Sequence, residues 1–215
     1  MITIRRRLER RFERLRGNDR GLAIVEMAIV APLLALLVAG IMEYGLLWRD
    51  NLTVTSATRA SARVASNLGD SYLSDYEAIL SLDAALASVN GITIEGVLIY
   101  HADAADGSPH PSCFDGNGDP QSANNECNFF TAADLVTIAA TDCSTSCTEF
   151  PNNSNCFGGM SVNFCPQQDR ETDQTTGVTD VGVWVRVSRE YTTGIFPGDG
   201  VTITDYTVMA VEPSS

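Results

Sequence analysis

The first strongly apolar segment of the chain covers residues 22–48 and reads LAIVEMAIVAPLLALLVAGIMEYGLLW. Between Glu26 and Glu43 it holds 16 consecutive apolar residues. A soluble amphipathic helix is apolar on one face only, whereas a helix that crosses the hydrocarbon core of a bilayer needs about 20 apolar residues. The pattern therefore predicts a transmembrane helix over residues 22–48. Glu43 lies near its outer end, where we expect the carboxylate to reach water.

Residues 49–67 (RDNLTVTSATRASARVASN) continue this helix with polar and small side chains. Small residues let another structural element approach the helix backbone closely. The pattern leaves open whether that element is a helix of another subunit or the sheet of the same domain.

Further along the chain, the spacing of apolar residues changes between the helical and the strand period. Helical spacing predicts α-helices, and alternation of β-branched residues predicts strands. The predicted elements are a helix over Ser74–Val89, a strand over Ile92–Tyr100, a helix over Thr131–Ala140 with Thr131 as N-cap, and a long-loop hairpin of strands Val181–Tyr191 and Val201–Val211. The predicted fold is therefore α+β, with the long N-terminal helix packed on a small antiparallel sheet.

Residues 102–177 interrupt these elements with a polar stretch that contains all the cysteines of the chain: Cys113, Cys127, Cys143, Cys147, Cys156 and Cys165. An even number of clustered cysteines is typical of disulfides formed in an oxidising compartment. Zinc is the alternative, but only Cys143 and Cys147 come near the short ligand spacing of zinc knuckles. We expect a disulfide-held insertion.

Charge is distributed very unevenly. Residues 1–20 hold eight Arg and three acidic residues, whereas residues 51–215 hold five Arg and 21 acidic residues. Arginine-rich flanks stay in the cytoplasm, so we expect a cytoplasmic leader (1–21), the transmembrane helix (22–48) and a periplasmic domain (49–215) of a single-pass inner-membrane protein. A secretory signal has a shorter apolar region, which favours retention of this one. The acidic domain does not suit nucleic acid.

One loop has the residue types of a calcium site. Asp115, Asn117 and Asp119 stand at alternate positions of a glycine-rich turn, and Glu126 follows at the twelfth position. Calcium loops present hard oxygen ligands with this spacing, although the same residues also favour ordinary turns. No catalytic motif accompanies the loop: we find no nucleophile elbow, phosphate loop or dinucleotide fingerprint, and we expect no enzyme activity. No other cofactor is indicated.

A spaced set of residues in the helix resembles a known family. Gly21 precedes Glu26 by five positions, as in type IV prepilin processing sites. The other matching positions are Val25, Ala28, Pro32, Gly40, Glu43, Gly45 and the run Ala57–Arg63. Together they resemble the TadE-like minor pilins or pseudopilins of the tight-adherence (Tad, Flp-type IVb) pilus system.

This resemblance implies that a prepilin peptidase cuts after Gly21 and makes Leu22 the new N-terminus. It also implies that Glu26 then pairs with the Leu22 amine of a neighbouring subunit. The implied fold is pilin-like, and the implied partners are membrane lipid, other pilin subunits and the Tad assembly machinery. The expected function is pilus assembly or cell adhesion. The alternative is an unprocessed, membrane-anchored module that binds calcium or a surface ligand.

Overall fold

The computed structural model describes residues 19–141, 156, 161–175, 177–194 and 198–213. Residues 1–18 of the predicted leader (residues 1–21) therefore lie outside the described residues. Helix α1 spans Asp19–Leu68 and passes through Pro32 without ending. The two helical segments predicted for residues 22–48 and 49–67 are thus parts of one helix.

The remaining elements largely follow the predicted order. They are α2 (Ser74–Leu86), β1 (Ile92–His101), a 3₁₀ turn (Pro111–Cys113), β2 (Cys127–Thr131), α3 (Ala132–Ala140), the single-turn α4 (Pro166–Asp169), β3 (Asp180–Glu190) and β4 (Gly200–Ala210). The predicted N-cap of α3 is confirmed. Thr131 Oγ1 accepts a hydrogen bond from the Asp134 amide at 3.3 Å, and Asp134 Oδ2 accepts one from the Thr131 amide at 2.8 Å. Strand β2 and helix α4 were not predicted.

The four strands form one antiparallel sheet in the order β2-β1-β3-β4. Strand β1 lies in its interior, since Val97 pairs with Phe130 of β2 on one side and with Val185 of β3 on the other. Strands β3 and β4 are the predicted hairpin. The insertion supplies β2, so the disulfide-held region completes the sheet.

The two faces of the sheet are covered by different parts of the chain. On one face the alternating valines of β3 pack with α1, α2 and α3, and this main core contains Val54, Ala62, Ile79 and Ile138. On the other face, Leu98, Tyr100 and Trp184 pack with the disulfide Cys113–Cys127. The predicted α+β fold with a helix on a small antiparallel sheet is confirmed.

The chain divides into two compact units, one that ends at Leu46 and one that runs from Leu47 to Ser215. The second unit contains the sheet, helices α2 to α4 and the last part of α1, and we refer to it as the body. The predicted boundary after residue 48 lies close to this division.

Candidate functional site

The N-terminal part of α1 exposes an unusual amount of apolar surface. A stretch of 18 residues in this helix has a mean hydropathy of 2.5, and none of its residues is buried. Between Ile24 and Met42, 12 large apolar side chains are between 45% and 72% exposed. Soluble monomers rarely expose contiguous apolar patches of this size, because removing apolar surface from water is the main driving force of folding. This part of the helix supports a membrane-anchored protein.

The residues of the predicted processing site lie near the start of this helix. Gly21 and Glu26 are exposed, and the side chain of Leu22 lies outside the described residues. A Cβ atom added to Gly21 would meet no other atom within 4 Å. The fold therefore has no steric need for glycine at position 21, and any requirement for it comes from an interaction with another molecule.

Glu43 differs from the sequence-based expectation. Its side chain is only 1% exposed, so it does not reach water freely. Burying a carboxylate is costly unless polar groups surround it, which makes Glu43 a constrained position rather than a tolerated surface charge.

The small residues in the last part of α1 pack on the body's own elements. Ala57, Ser61, Ala62 and Ala65 are at most 1% exposed. Ser61 Oγ donates a hydrogen bond to the Ala78 carbonyl of α2 at 2.7 Å. Of the two possibilities that the sequence left open, the structure places this stripe inside the domain, and its buried members are not available to another subunit.

A buried ion pair connects the last part of α1 to the sheet. Arg189 Nε of β3 lies 2.6 Å from Asp50 Oδ2, although the N–H is not aligned for a hydrogen bond. Arg189 also donates to the Asn90 carbonyl at 3.3 Å and to Thr192 Oγ1 at 3.0 Å. The guanidinium thus joins α1, the loop before β1 and the end of β3.

A second buried network holds the end of the insertion. The Arg170 guanidinium contacts Asp75 of α2 and donates to Ser74 Oγ at 2.9 Å. The side chain of Asn128 in β2 joins this network: Nδ2 donates to Asp75 Oδ2 at 3.2 Å, and Oδ1 accepts from the backbone amide of Phe164 at 3.1 Å. Sequence reasoning missed this network, because only the fold brings these distant positions together.

Two disulfides confirm the prediction for four of the six cysteines. Cys113 is bonded to Cys127, and Cys156 is bonded to Cys165. Cys143 and Cys147 lie outside the described residues. The first disulfide connects the 3₁₀ turn to β2, and the second lies beside α4, so both stabilise the insertion.

The predicted calcium loop is closed by its own hydrogen bonds. Asp115 Oδ1 accepts from the amides of Asp119 at 2.9 Å and Asn117 at 2.8 Å. These hydrogen bonds hold the pKa of the Asp115 carboxyl below its usual range. The Asp119 carboxylate accepts a hydrogen bond from Arg186 at 3.0 Å, and Glu126 Oε2 is buried without a hydrogen-bond partner.

Two observations bear on the predicted calcium site. Among the residues that the structure describes, no group of three or more His, Cys, Asp or Glu side chains is arranged to hold a metal ion. A cation at Asp119 would also compete with the Arg186 guanidinium. The calcium site stays a prediction without support from these contacts.

Comparison with known families identifies the segment that contains the exposed helix. A family model described as TadE-like protein matches residues 21–63. The match begins at Gly21, includes Glu26 and ends at Arg63, within the part of α1 that packs on the body. No curated protein and no solved structure matches the chain. In this segment, the chain is similar to TadE-like proteins.

Proposed function

We propose that the chain is a minor pilin-like (pseudopilin) subunit that acts in the assembly or adhesion of a tight-adherence pilus. The observation that supports this most directly is the exposed apolar part of α1, which coincides with the TadE-like segment. Such a helix can first lie in the bilayer and then pack against the apolar helices of other pilin subunits. In both settings its apolar surface is removed from water.

The proposed topology has residues 1–21 in the cytoplasm, the apolar helix in the inner membrane and the body in the periplasm. The arginine-rich leader favours this orientation, and the disulfides suit an oxidising compartment. A prepilin peptidase then cuts after Gly21. The new Leu22 amine and the Glu26 carboxylate of a neighbouring subunit compensate each other in the membrane, where either charge alone is costly.

Intact-mass measurement and N-terminal sequencing of the chain from the membranes of its own cells test this proposal. We expect a mature chain that begins at Leu22. Gly21→Ala should prevent cleavage, whereas Glu26→Gln should leave the chain processed but reduce its assembly. Gly45→Ala is a matched control, because Gly45 lies in the same helix and an added Cβ there also meets no atom within 4 Å.

A chain that keeps residues 2–21 would exclude the processed-pilin proposal. It would favour instead an unprocessed membrane anchor whose body binds calcium or a surface ligand.

A further inference from the structure

The body has an apolar groove between α2, the start of β1 and α3. The groove has a volume of about 400 Å³, and its lining includes Leu86, Ile92, Leu135 and Val136. Val136 lies in the short, largely apolar helix α3, and its side chain is 71% exposed. A groove of this size can receive one or two side chains of a partner, and exposed apolar surface of this kind marks interaction sites.

The charge around the groove restricts the partner. Asp83 is exposed and lines the groove. It belongs to a body whose residues 51–215 carry 21 acidic residues against five Arg. Electrostatic complementarity therefore favours a partner that brings both an apolar side chain and positive charge.

The chain itself presents such a surface. Leu52 of α1 is 56% exposed, and Arg59 and Arg63 are exposed. On an α-helix, positions 52, 59 and 63 fall within about 60° of one another, so these three side chains form one stripe. Arg59 also lies near Asp205 of its own β4 and lowers the pKa of that carboxyl in part, so Arg63 is the stripe's main source of positive charge. Of the remaining arginines after residue 50, Arg170 and Arg189 are buried and Arg186 binds Asp119.

We propose that the α1 stripe of one copy docks into the groove of a second copy, with Leu52 on the apolar lining and Arg59 or Arg63 beside Asp83. This deepens the proposed function, on which it rests, by naming a contact between the bodies of assembled copies. The stripe and the groove are different surfaces, so the contact is heterologous. Each copy keeps a free stripe or a free groove, which allows an open-ended assembly or a ring.

Photo-crosslinking of the full chain in membranes tests the contact. The photoreactive residue p-benzoylphenylalanine replaces Val136, which is exposed and does not form part of the core. Mixing this chain with an isotopically labelled copy makes adducts between copies recognisable by mass. We expect an adduct with the tryptic peptide of residues 50–59 of the labelled copy, because that peptide contains Leu52. The same photoreactive residue in place of the exposed Val162, which does not line the groove, should not give this adduct.

Charge exchange then tests complementarity. The double change Arg59→Glu and Arg63→Glu should lower the yield of crosslinked dimer, measured by intact mass because trypsin no longer cuts after residue 59, by roughly fivefold or more, and Asp83→Arg should do the same. Combining all three changes should restore most of the yield. Asp103→Arg, a charge change at another exposed acidic position, should leave the yield unaltered.

The proposal is overturned if the adduct contains lipid, a small molecule or a different protein, if no adduct forms, or if charge exchange has no effect. The N-terminal mass of the same sample separates this result from the proposed function. A chain that is uncut after Gly21 but gives the 50–59 adduct refutes the processed pilin and retains the contact. A chain that is cut after Gly21 but gives no adduct retains the processed pilin and refutes the contact.

Discussion

Asp50 of α1 and Arg189 of β3 form an ion pair inside the body, with Arg189 Nε 2.6 Å from Asp50 Oδ2. The Asp50 side chain is fully buried, and that of Arg189 is 6% exposed. Since Asp50 follows the predicted membrane segment by only two positions, this pair fixes α1 to the sheet where the helix enters the body.

Removing one partner of this pair should destabilise the body strongly. We expect Arg189→Met to lower the free energy of unfolding by about 1–3 kcal/mol, because the buried Asp50 Oδ2 then loses its cationic neighbour and only Oδ1 keeps a partner, the largely exposed Arg49 at 2.9 Å. The double change Asp50→Leu and Arg189→Met should recover much of this loss. Denaturant unfolding of the full chain in detergent, followed by tryptophan fluorescence, measures the effect.

Arg186→Met is the matched control, because Arg186 lies in the same strand but pairs with Asp119, whose side chain is 68% exposed. Exposed pairs contribute about 0–1 kcal/mol. Equal losses for Arg186→Met and Arg189→Met would contradict the importance of burial at Asp50.

Asp205 of β4 should make stability depend on pH. Burial raises the pKa of its carboxyl above the usual value of 3.8, although the neighbouring Thr55, Thr58 and Arg59 of α1 lower it in part. A raised pKa in the folded state means that this residue contributes stability below its unfolded pKa and loses that contribution as the pH rises through the folded value. We therefore expect Asp205→Asn to raise the melting temperature near neutral pH, and this gain to disappear as the pH approaches 3.8.

Asp115→Asn is a control of opposite sign. The amides of Asp119 and Asn117 lower the pKa of Asp115, so its contribution is present above the unfolded pKa and is lost as the pH falls. This change should lower the melting temperature near neutral pH and have little effect in acid. Thermal unfolding of both variants between neutral pH and pH 3.8 measures these changes in melting temperature. If both variants changed the melting temperature in the same direction near neutral pH, the opposite pKa shifts of Asp205 and Asp115 would be contradicted.

Gly182 of β3 should not tolerate a side chain. A Cβ atom there would lie 2.1 Å from Cζ of the Tyr100 ring. The ring cannot move away easily, because Tyr100 is fully buried and its hydroxyl donates a hydrogen bond to the Gly107 carbonyl at 2.6 Å. Overpacking of this kind costs about 1–3 kcal/mol, and we expect Gly182→Ala to lower the free energy of unfolding by that amount or more.

Gly116→Ala provides the comparison, since an added Cβ at Gly116 meets no atom within 4 Å. It should change stability by less than about 0.5 kcal/mol, as is usual for surface substitutions. If Gly182→Ala had an equally small effect in the same denaturant unfolding, the close packing of Tyr100 on β3 would be refuted.

Local pattern was sufficient for much of this protein. The uninterrupted apolar run predicted the exposed part of α1, and alternating β-branched residues predicted β1, β3 and β4 within one or two residues. Thr131 predicted the start of α3, because an N-cap side chain bonds only to amides within the next turn. These features are determined by neighbours in the sequence, so they can be read without knowledge of the fold.

Only the tertiary structure decided which distant residues meet. It added the five-residue strand β2 to β1, paired Arg170 with Asp75, and placed Arg186 on an aspartate of the predicted calcium loop. It also buried the small residues of α1 against the body and removed Glu43 from free contact with water. No periodic pattern of residues in the sequence could predict these outcomes, because each depends on contacts between segments far apart in the chain. The sequence by itself determined the long apolar helix and the strands, because their patterns are local, and long-range packing decided which elements of the body contact one another.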